Sequence, residues 1–282
     1  MCMKAVLRLA VSVVALVLSA PAHAQLEEFE RVLIPAHNAL LPGVGGVFWI
    51  SELHIFNAGG TPARAFPQYT PSRFSDFAPH EFVLPPERTS YVWLVGDNTH
   101  FPVHSPVSSR VLYLERGAIE KLHVNLRLSK LFRETGEVRF AAEIPVIRQA
   151  ALLRGTTQLV RVPMADNTRQ MLRIMDPDRR GDGRVRVRIL LDDLESSPSP
   201  LLYEIEVTLA IPDVGSSGYH ADDPSFPGYA QLADLRGLLG DKVTPSSHIR
   251  VEVTPLTNGL RYWAFVSVTD NTTQEVMLIS PQ

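Results

Sequence analysis

Residues 184–191 read RVRVRILL and residues 201–209 read LLYEIEVTL. Val185, Val187, Ile189 and Leu191 alternate with Arg184, Arg186 and Arg188. Tyr203, Ile205, Val207 and Leu209 alternate with Glu204, Glu206 and Thr208. Successive side chains of an extended strand point to opposite faces, so a period of two places one face in a core and the other in water. The pattern recurs at 122–128, where Leu122, Val124, Leu126 and Leu128 alternate with His123, Asn125 and Arg127. It recurs again at 262–268, where Tyr262, Ala264, Val266 and Val268 alternate with Trp263, Phe265 and Ser267.

Outward from these segments, further extended runs stand at 31–35, 47–56, 82–84, 91–95, 111–114, 158–162 and 249–253. The 22 prolines and 17 glycines are spread along the chain, which suits many short strands separated by turns. Asn258-Gly259 predicts a hairpin between the last two alternating runs, because both residues tolerate positive φ. Asp176 to Gly183 (DPDRRGDG) predicts the turn that joins MLRIM to RVRVRIL. One short helix is expected where Tyr229, Leu232, Leu235 and Leu238/Leu239 recur at three-to-four spacing, with Gly240 placed to end it. The expected fold class is all-β: two tandem immunoglobulin-like β-sandwich modules, with one short helix in the second.

Two stretches of the chain echo each other. Ser108 to Leu114, a turn and the strand at 122–128 match Ser246 to Glu252, a turn and the strand at 262–268. Upstream, Leu94-Val95-Gly96-Asp97 matches Leu238-Leu239-Gly240-Asp241. Ile34-Pro35 ahead of the strand at 47–56 is likewise set against Ile144-Pro145 ahead of the strand at 158–162. These echoes predict a tandem repeat of one module, spanning 25–143 and 144–282, each of ordinary domain size.

Residues 1–24 read as a secretory signal peptide: Lys4 and Arg8, an apolar run from Leu9 to Leu18, then Ala22-His23-Ala24 with small residues at the cleavage positions. The apolar run is too short to cross about 30 Å of hydrocarbon, so no integral membrane segment is expected after cleavage. The single cysteine, Cys2, lies in that leader, so no disulfide would staple the processed chain and hydrophobic cores must hold it together. The formal net charge of −3 becomes more negative once Lys4 and Arg8 are removed, which gives no reason to expect a nucleic-acid partner. A periplasmic or secreted location is expected.

The pattern Phe48-Trp49-x-x-x-Leu53-x-Ile55-x-Asn57-x-Gly59 resembles exported bacterial proteins built from tandem β-sandwich modules, for which no activity is established. The segments Gly228-Tyr229-Ala230-Gln231-Leu232 and Ala264 to Asn271 (AFVSVTDN) are similar to their C-terminal signature. The resemblance implies fold and location and no chemistry. Arg31 to Pro35 and Leu53 to Pro67 also resemble the opening strands of periplasmic pilus-assembly chaperones, which lend a strand to an incomplete sandwich. That resemblance implies a free strand edge near residue 31; the acidic-arginine segment of those chaperones is not found here.

Catalytic chemistry has no clear anchor in this chain. A serine hydrolase needs a nucleophile on a tight turn, and Gly215-Ser216-Ser217-Gly218 does not fit G-x-S-x-G. Asp97, His100 and His104 carry metal-ligand chemistry, but Pro102 separates the histidines and no remote partner is marked. Asp176, Asp178 and Asp182 before Gly183 suggest calcium; position 5 of an EF-type loop would be Arg180 and position 12 Val187, and turns also favour Asp and Gly. No catalytic residue, cofactor or metal is therefore assigned, with calcium as the alternative. Arg184, Arg186 and Arg188 offer a surface for an acidic glycan or phosphate-bearing partner, or else pair with Glu204 and Glu206 on the next strand. Trp49, Trp93, Tyr262 and Trp263 offer a sugar-stacking platform or, more simply, core; adjacent Tyr262 and Trp263 must face opposite ways. The expected role is a non-catalytic exported protein acting in binding, adhesion or envelope structure, on an envelope protein or a glycan. A strand-donating chaperone is the alternative, and a secreted hydrolase comes third.

Overall fold

A computed structural model of the chain describes residues 28–35, 41–43, 46–66, 82–92, 109–178, 181–192, 198–211 and 227–282. Residues 1–24, read above as a leader, lie outside them. Strand dominates, as the alternation requires. The first half supplies β1 (Phe29–Ile34), β2 (Leu41–Pro42), β3 (Val47–Asn57), β4 (Ala63–Phe66), β5 (Phe82–Leu84), β6 (Arg88–Val92), β7 (Arg110–Glu115), β8 (Leu122–Phe132), β9 (Val138–Ile144) and β10 (Ile147–Arg148). The second supplies β11 (Thr157–Pro163), β12 (Thr168–Asp176), β13 (Arg184–Leu191), β14 (Leu201–Thr208), β15 (Gly228–Leu232), α1 (Leu235–Leu239), β16 (His248–Pro255), β17 (Trp263–Asp270) and β18 (Val276–Ile279).

These strands form four antiparallel sheets. Sheet I runs β10-β1-β7-β4-β5, and sheet II runs β2-β3-β8-β9 with β6 also paired to β3. Sheet III runs β11-β16-β13-β14, and sheet IV runs β15-β12-β17-β18. Val32, Ile34, Leu112 and Leu114 from sheet I meet Trp49, Leu53, Leu126 and Leu128 from sheet II in one core. Leu159, Val187, Ile189 and Val251 from sheet III meet Leu172, Ile174, Ala264 and Val266 from sheet IV in another.

The two sheet pairs share one strand order. Replacing β1 and β3–β9 by β11–β18 in sequence turns β1-β7-β4-β5 into β11-β16-β13-β14, and β6-β3-β8-β9 into β15-β12-β17-β18. The register agrees as well. Leu53 pairs with Leu126 and Val92, and Leu172 pairs with Val266 and Leu232. The central strands end alike: Asn57 closes β3, Asp176 closes β12, and both are buried. The Asn57 side chain accepts a bond from Gly59 N–H at 2.9 Å, and that of Asp176 accepts one from Asp178 N–H at 2.8 Å. Each side chain thereby turns the chain out of the sheet.

This topology corrects the repeat as expected from sequence. The strands at 122–128 and 262–268 do occupy equivalent places, in the same register. The strand at 47–56 corresponds to β12, not to the strand at 158–162. Aligning Ser108–Leu114 with Ser246–Glu252 is one residue out: it sets core-facing Leu112 and Leu114 against Arg250 and Glu252, on the face opposite core-facing Ile249, Val251 and Val253. The match at 94–97 lies outside the described residues.

Two local expectations also change. Gly259 has the positive φ expected of it (69°), yet β16 and β17 belong to different sheets. Asn258-Gly259 therefore carries the chain across the core, with Leu260 buried behind it, and is not a hairpin. The helix is only five residues long, and Tyr229 and Leu232 lie on strand β15 instead. Asp234 caps α1 by accepting from Gly237 N–H, and Gly240 ends it at φ 53°, so the break falls between Leu232 and Leu235.

The sheet pairs touch through an apolar cluster and an ionic one. Leu33, Ile147 and Leu152 pack with Met175 and Phe265, and half-buried Tyr229, Trp263 and Leu278 join them. Beside this cluster the half-buried Asp178 carboxylate receives Arg261 at 2.6 and 2.7 Å and Arg31 at 2.5 Å. Burial alone would raise the Asp178 carboxyl, but the Arg261 and Arg31 guanidinium groups together hold it below the usual aspartate range.

Candidate functional site

Those residues singled out by sequence that are described do not converge on one place. Asp97, His100, His104 and Trp93 lie outside the described residues. Of the calcium candidates, Asp176 caps its strand, Asp178 is held by two arginines, and Asp182 is exposed. No group of three or more His, Cys, Asp or Glu side chains is arranged to hold a metal ion among the described residues.

The arginine stripe faces water on sheet III, where the register decides its partners. Arg186 lies opposite Glu206 and Arg188 opposite Glu204, with Glu252 on the other flank of Arg188. The resulting contacts are Arg186–Glu206 at 3.2 Å, Arg188–Glu204 at 3.2 Å and Arg188–Glu252 at 3.1 Å. Arg184 reaches Glu206 at 3.9 Å. Cross-strand opposite charges of this kind stabilise by about 0.2–1 kcal/mol per pair. The guanidinium forks are occupied by the protein's own carboxylates.

Trp263 cannot share a surface with that stripe. Its ring lies on the outer face of sheet IV, against the first sheet pair, whereas the arginines lie on the outer face of sheet III across the core. Nor do the aromatic residues form one platform. Trp49 is buried in the core of sheets I and II, and Tyr262 in that of sheets III and IV. The Tyr262 hydroxyl lies 2.8 Å from the carbonyl oxygens of both Gly155 and Val253, and burial pushes its phenol up. Its place is structural.

An open cleft of about 560 Å³ lies beside α1, between Asp166, Arg169, Arg236 and Asp241. Two of its carboxylates are engaged: Asp166 accepts from Arg236, and Asp234 caps the helix. No nucleophile and base are paired in it.

A different surface gathers aromatic and polar side chains: the outer face of sheet II. On this face His54 of β3 sits between Tyr91 of β6 and Asn125 of β8. In the next row Phe56 sits between Thr89 and His123. Glu52 and Arg127 form a third row, with Glu143 of β9 opposite Arg127. The His54 and Tyr91 rings meet edge to face with centroids 5.2 Å apart; Phe56 and His123 stack at 6.1 Å with 26° between planes. Phe56 is 38% and Tyr91 40% exposed. Partial burial, aided by the Glu52 carboxylate, pushes the Tyr91 phenol above its ordinary value. Asn125 donates to Glu143 and accepts from Arg127 Nε at 3.1 Å. The alternation at 122–128 placed His123, Asn125 and Arg127 on a wet face. What it could not supply was the pairing of β3 with β8, which brings Phe56 and His54 beside them.

The equivalent face of sheet IV gives the contrast. Register equivalence sets Arg173 at the place of His54, Met175 at that of Phe56, Trp263 at that of His123 and Phe265 at that of Asn125. There Met175, Trp263 and Phe265 pack against Leu33 and Ile147 of the first sheet pair, while Gln231, at the place of Tyr91, is exposed.

Comparison with known proteins adds no relative. No family model, curated protein or solved structure matches the chain.

Proposed function

We propose that this chain is a non-catalytic binding protein of the periplasm or cell exterior, made of two tandem immunoglobulin-like modules that act as one rigid body. The leader pattern at residues 1–24 supports export. The common strand order of the two sheet pairs supports two copies of one module, divided near residues 143–144. Leu33, Phe265 and the Arg31–Asp178–Arg261 contact support rigid coupling. Among the described residues no helix is long and apolar enough to cross a membrane.

The observation that carries the reading is the outer face of sheet II. It bears four rings and several hydrogen-bonding side chains, and at the places of Phe56, His123 and Asn125 the equivalent residues of sheet IV pack against the first sheet pair. Such a face suits an external partner in the cell envelope, as in adhesion or envelope structure. The assembly-chaperone alternative asked for a free strand edge near Arg31. That edge is taken: β1 is bordered by β7 along its length and by β10 at Val32 and Leu33.

The test has two parts. An N-terminal sequence of the exported protein should begin at Gln25. The processed chain, mixed with isolated cell envelopes and sedimented, should leave the supernatant. A chain that stays in the cytoplasm, or that remains wholly in the supernatant, contradicts the proposal.

A further inference from the structure

We propose that the outer face of sheet II is a binding site for an uncharged glycan chain, laid across β6, β3 and β8. The inference rests on the binding reading above and names the class of ligand. A sugar chain presents alternating apolar ring faces and hydroxyl edges. The rows of this face alternate in the same way. Phe56 and Tyr91 are exposed rings, and His54, His123, Asn125, Arg127 and Glu143 stand among them as donors and acceptors. Neither His54 nor His123 has a hydrogen bond to the described protein, so both imidazoles keep their polar atoms for a ligand.

Three features favour this occupant over others. The first is charge: Glu52 and Glu143 offset Arg127, so the face carries no excess of positive charge to attract a phosphate or a polyanion. The second is rigidity. All the side chains stand on paired strands about 4.8 Å apart, and both imidazoles are fixed by ring contacts, so little side-chain entropy remains to be lost on binding. The third is the comparison within the chain. In sheet IV, where the first sheet pair packs on this face, the places of Phe56, His123 and Asn125 hold the apolar Met175, Trp263 and Phe265, and Arg173 stands at the place of His54. In sheet II the same places hold Phe56, His123, Asn125 and His54, a ring-and-imidazole set with hydrogen-bonding capacity. Cross-strand aromatic pairs also stabilise a sheet without any ligand, so the experiment must separate binding from folding.

The test is affinity electrophoresis of the processed chain in native gels containing dextran, laminarin, mannan or arabinogalactan, with hyaluronate as the acidic counterpart. At least one neutral polysaccharide should retard the protein, and hyaluronate should not. Phe56→Ala and Tyr91→Ala should each weaken retardation about tenfold, the scale of one ring lost from a binding face. Arg186→Ala, on sheet III, should leave it unchanged. Thr89→Glu keeps every ring in place and adds a charge at an exposed position; it should abolish retardation with an unchanged melting temperature, which holds even if the ring variants fold poorly. Retardation by none of the neutral polymers, retardation by hyaluronate alone, or full retardation of Thr89→Glu would overturn the inference. Binding to whole envelopes with none of these neutral polymers retained would sink the glycan site and spare the wider reading. Retention by a polysaccharide without envelope binding would do the reverse.

Discussion

β13 and β17 are both eight-residue strands with the same period of two, yet they sit in different surroundings. On β13 the valines and isoleucine are buried, while Arg184, Arg186 and Arg188 meet water and a ladder of glutamates. On β17 every residue from Ala264 to Thr269 is buried. One face of β17 belongs to the core it shares with sheet III. The other is pressed against Leu33 and Ile147 of the first sheet pair. Alternation in the sequence therefore identifies a strand and its first buried face. It does not tell whether water or another sheet covers the second.

The largest expected effect tests that second face. Phe265→Ala removes a ring that belongs to the cluster between the sheet pairs and should cost about 3–5 kcal/mol in urea unfolding, as a core position would. A cost under about 1 kcal/mol would mean that the outer face of β17 is as wet as that of β13. Next comes Asp178→Asn, which leaves Arg31 and Arg261 facing a neutral amide and should cost about 2 kcal/mol. The sign of the pH dependence follows from the lowered carboxyl. Its stabilising share is complete above the ordinary aspartate value of about 3.9 and is lost as pH falls through the folded value below it. The difference between wild type and Asp178→Asn should thus be constant from pH 7 to 5 and shrink only in stronger acid. The smallest effect belongs to β13. Arg186→Ala should change stability by less than about 0.5 kcal/mol, and added salt should shrink even that.

How legible all this was depends on what each residue encodes locally. RVRVRILL and LLYEIEVT state strand, face and partner together, because unlike charges fall opposite one another once the strands pair. WAFVSVTD hides its second contact, since Ser267 and Thr269 are polar in composition although buried in place. Tyr229 and Leu232 fit a helical spacing, but pairing of β15 with β12 holds them extended. Asn258-Gly259 encodes a turn and not the sheets on either side of it. The face of sheet II was half visible: the wet side of 122–128 could be read, whereas its alignment with Phe56, His54 and Tyr91 depends on contacts between segments far apart in sequence. The aspartates of 176–182 offered ligand chemistry, and the fold spends two of them on a strand cap and an arginine clamp.

The difference between β13 and β17 can be measured by thiol labelling. The chain from residue 25 onward contains no cysteine, so single cysteines at 186, 188, 265 and 267 each report one site. Positions 186 and 188 should react at the rate of an exposed thiol, and positions 265 and 267 should stay protected until urea unfolds the protein. Equal, rapid labelling at all four sites in the folded protein would contradict a sheet covered on both faces.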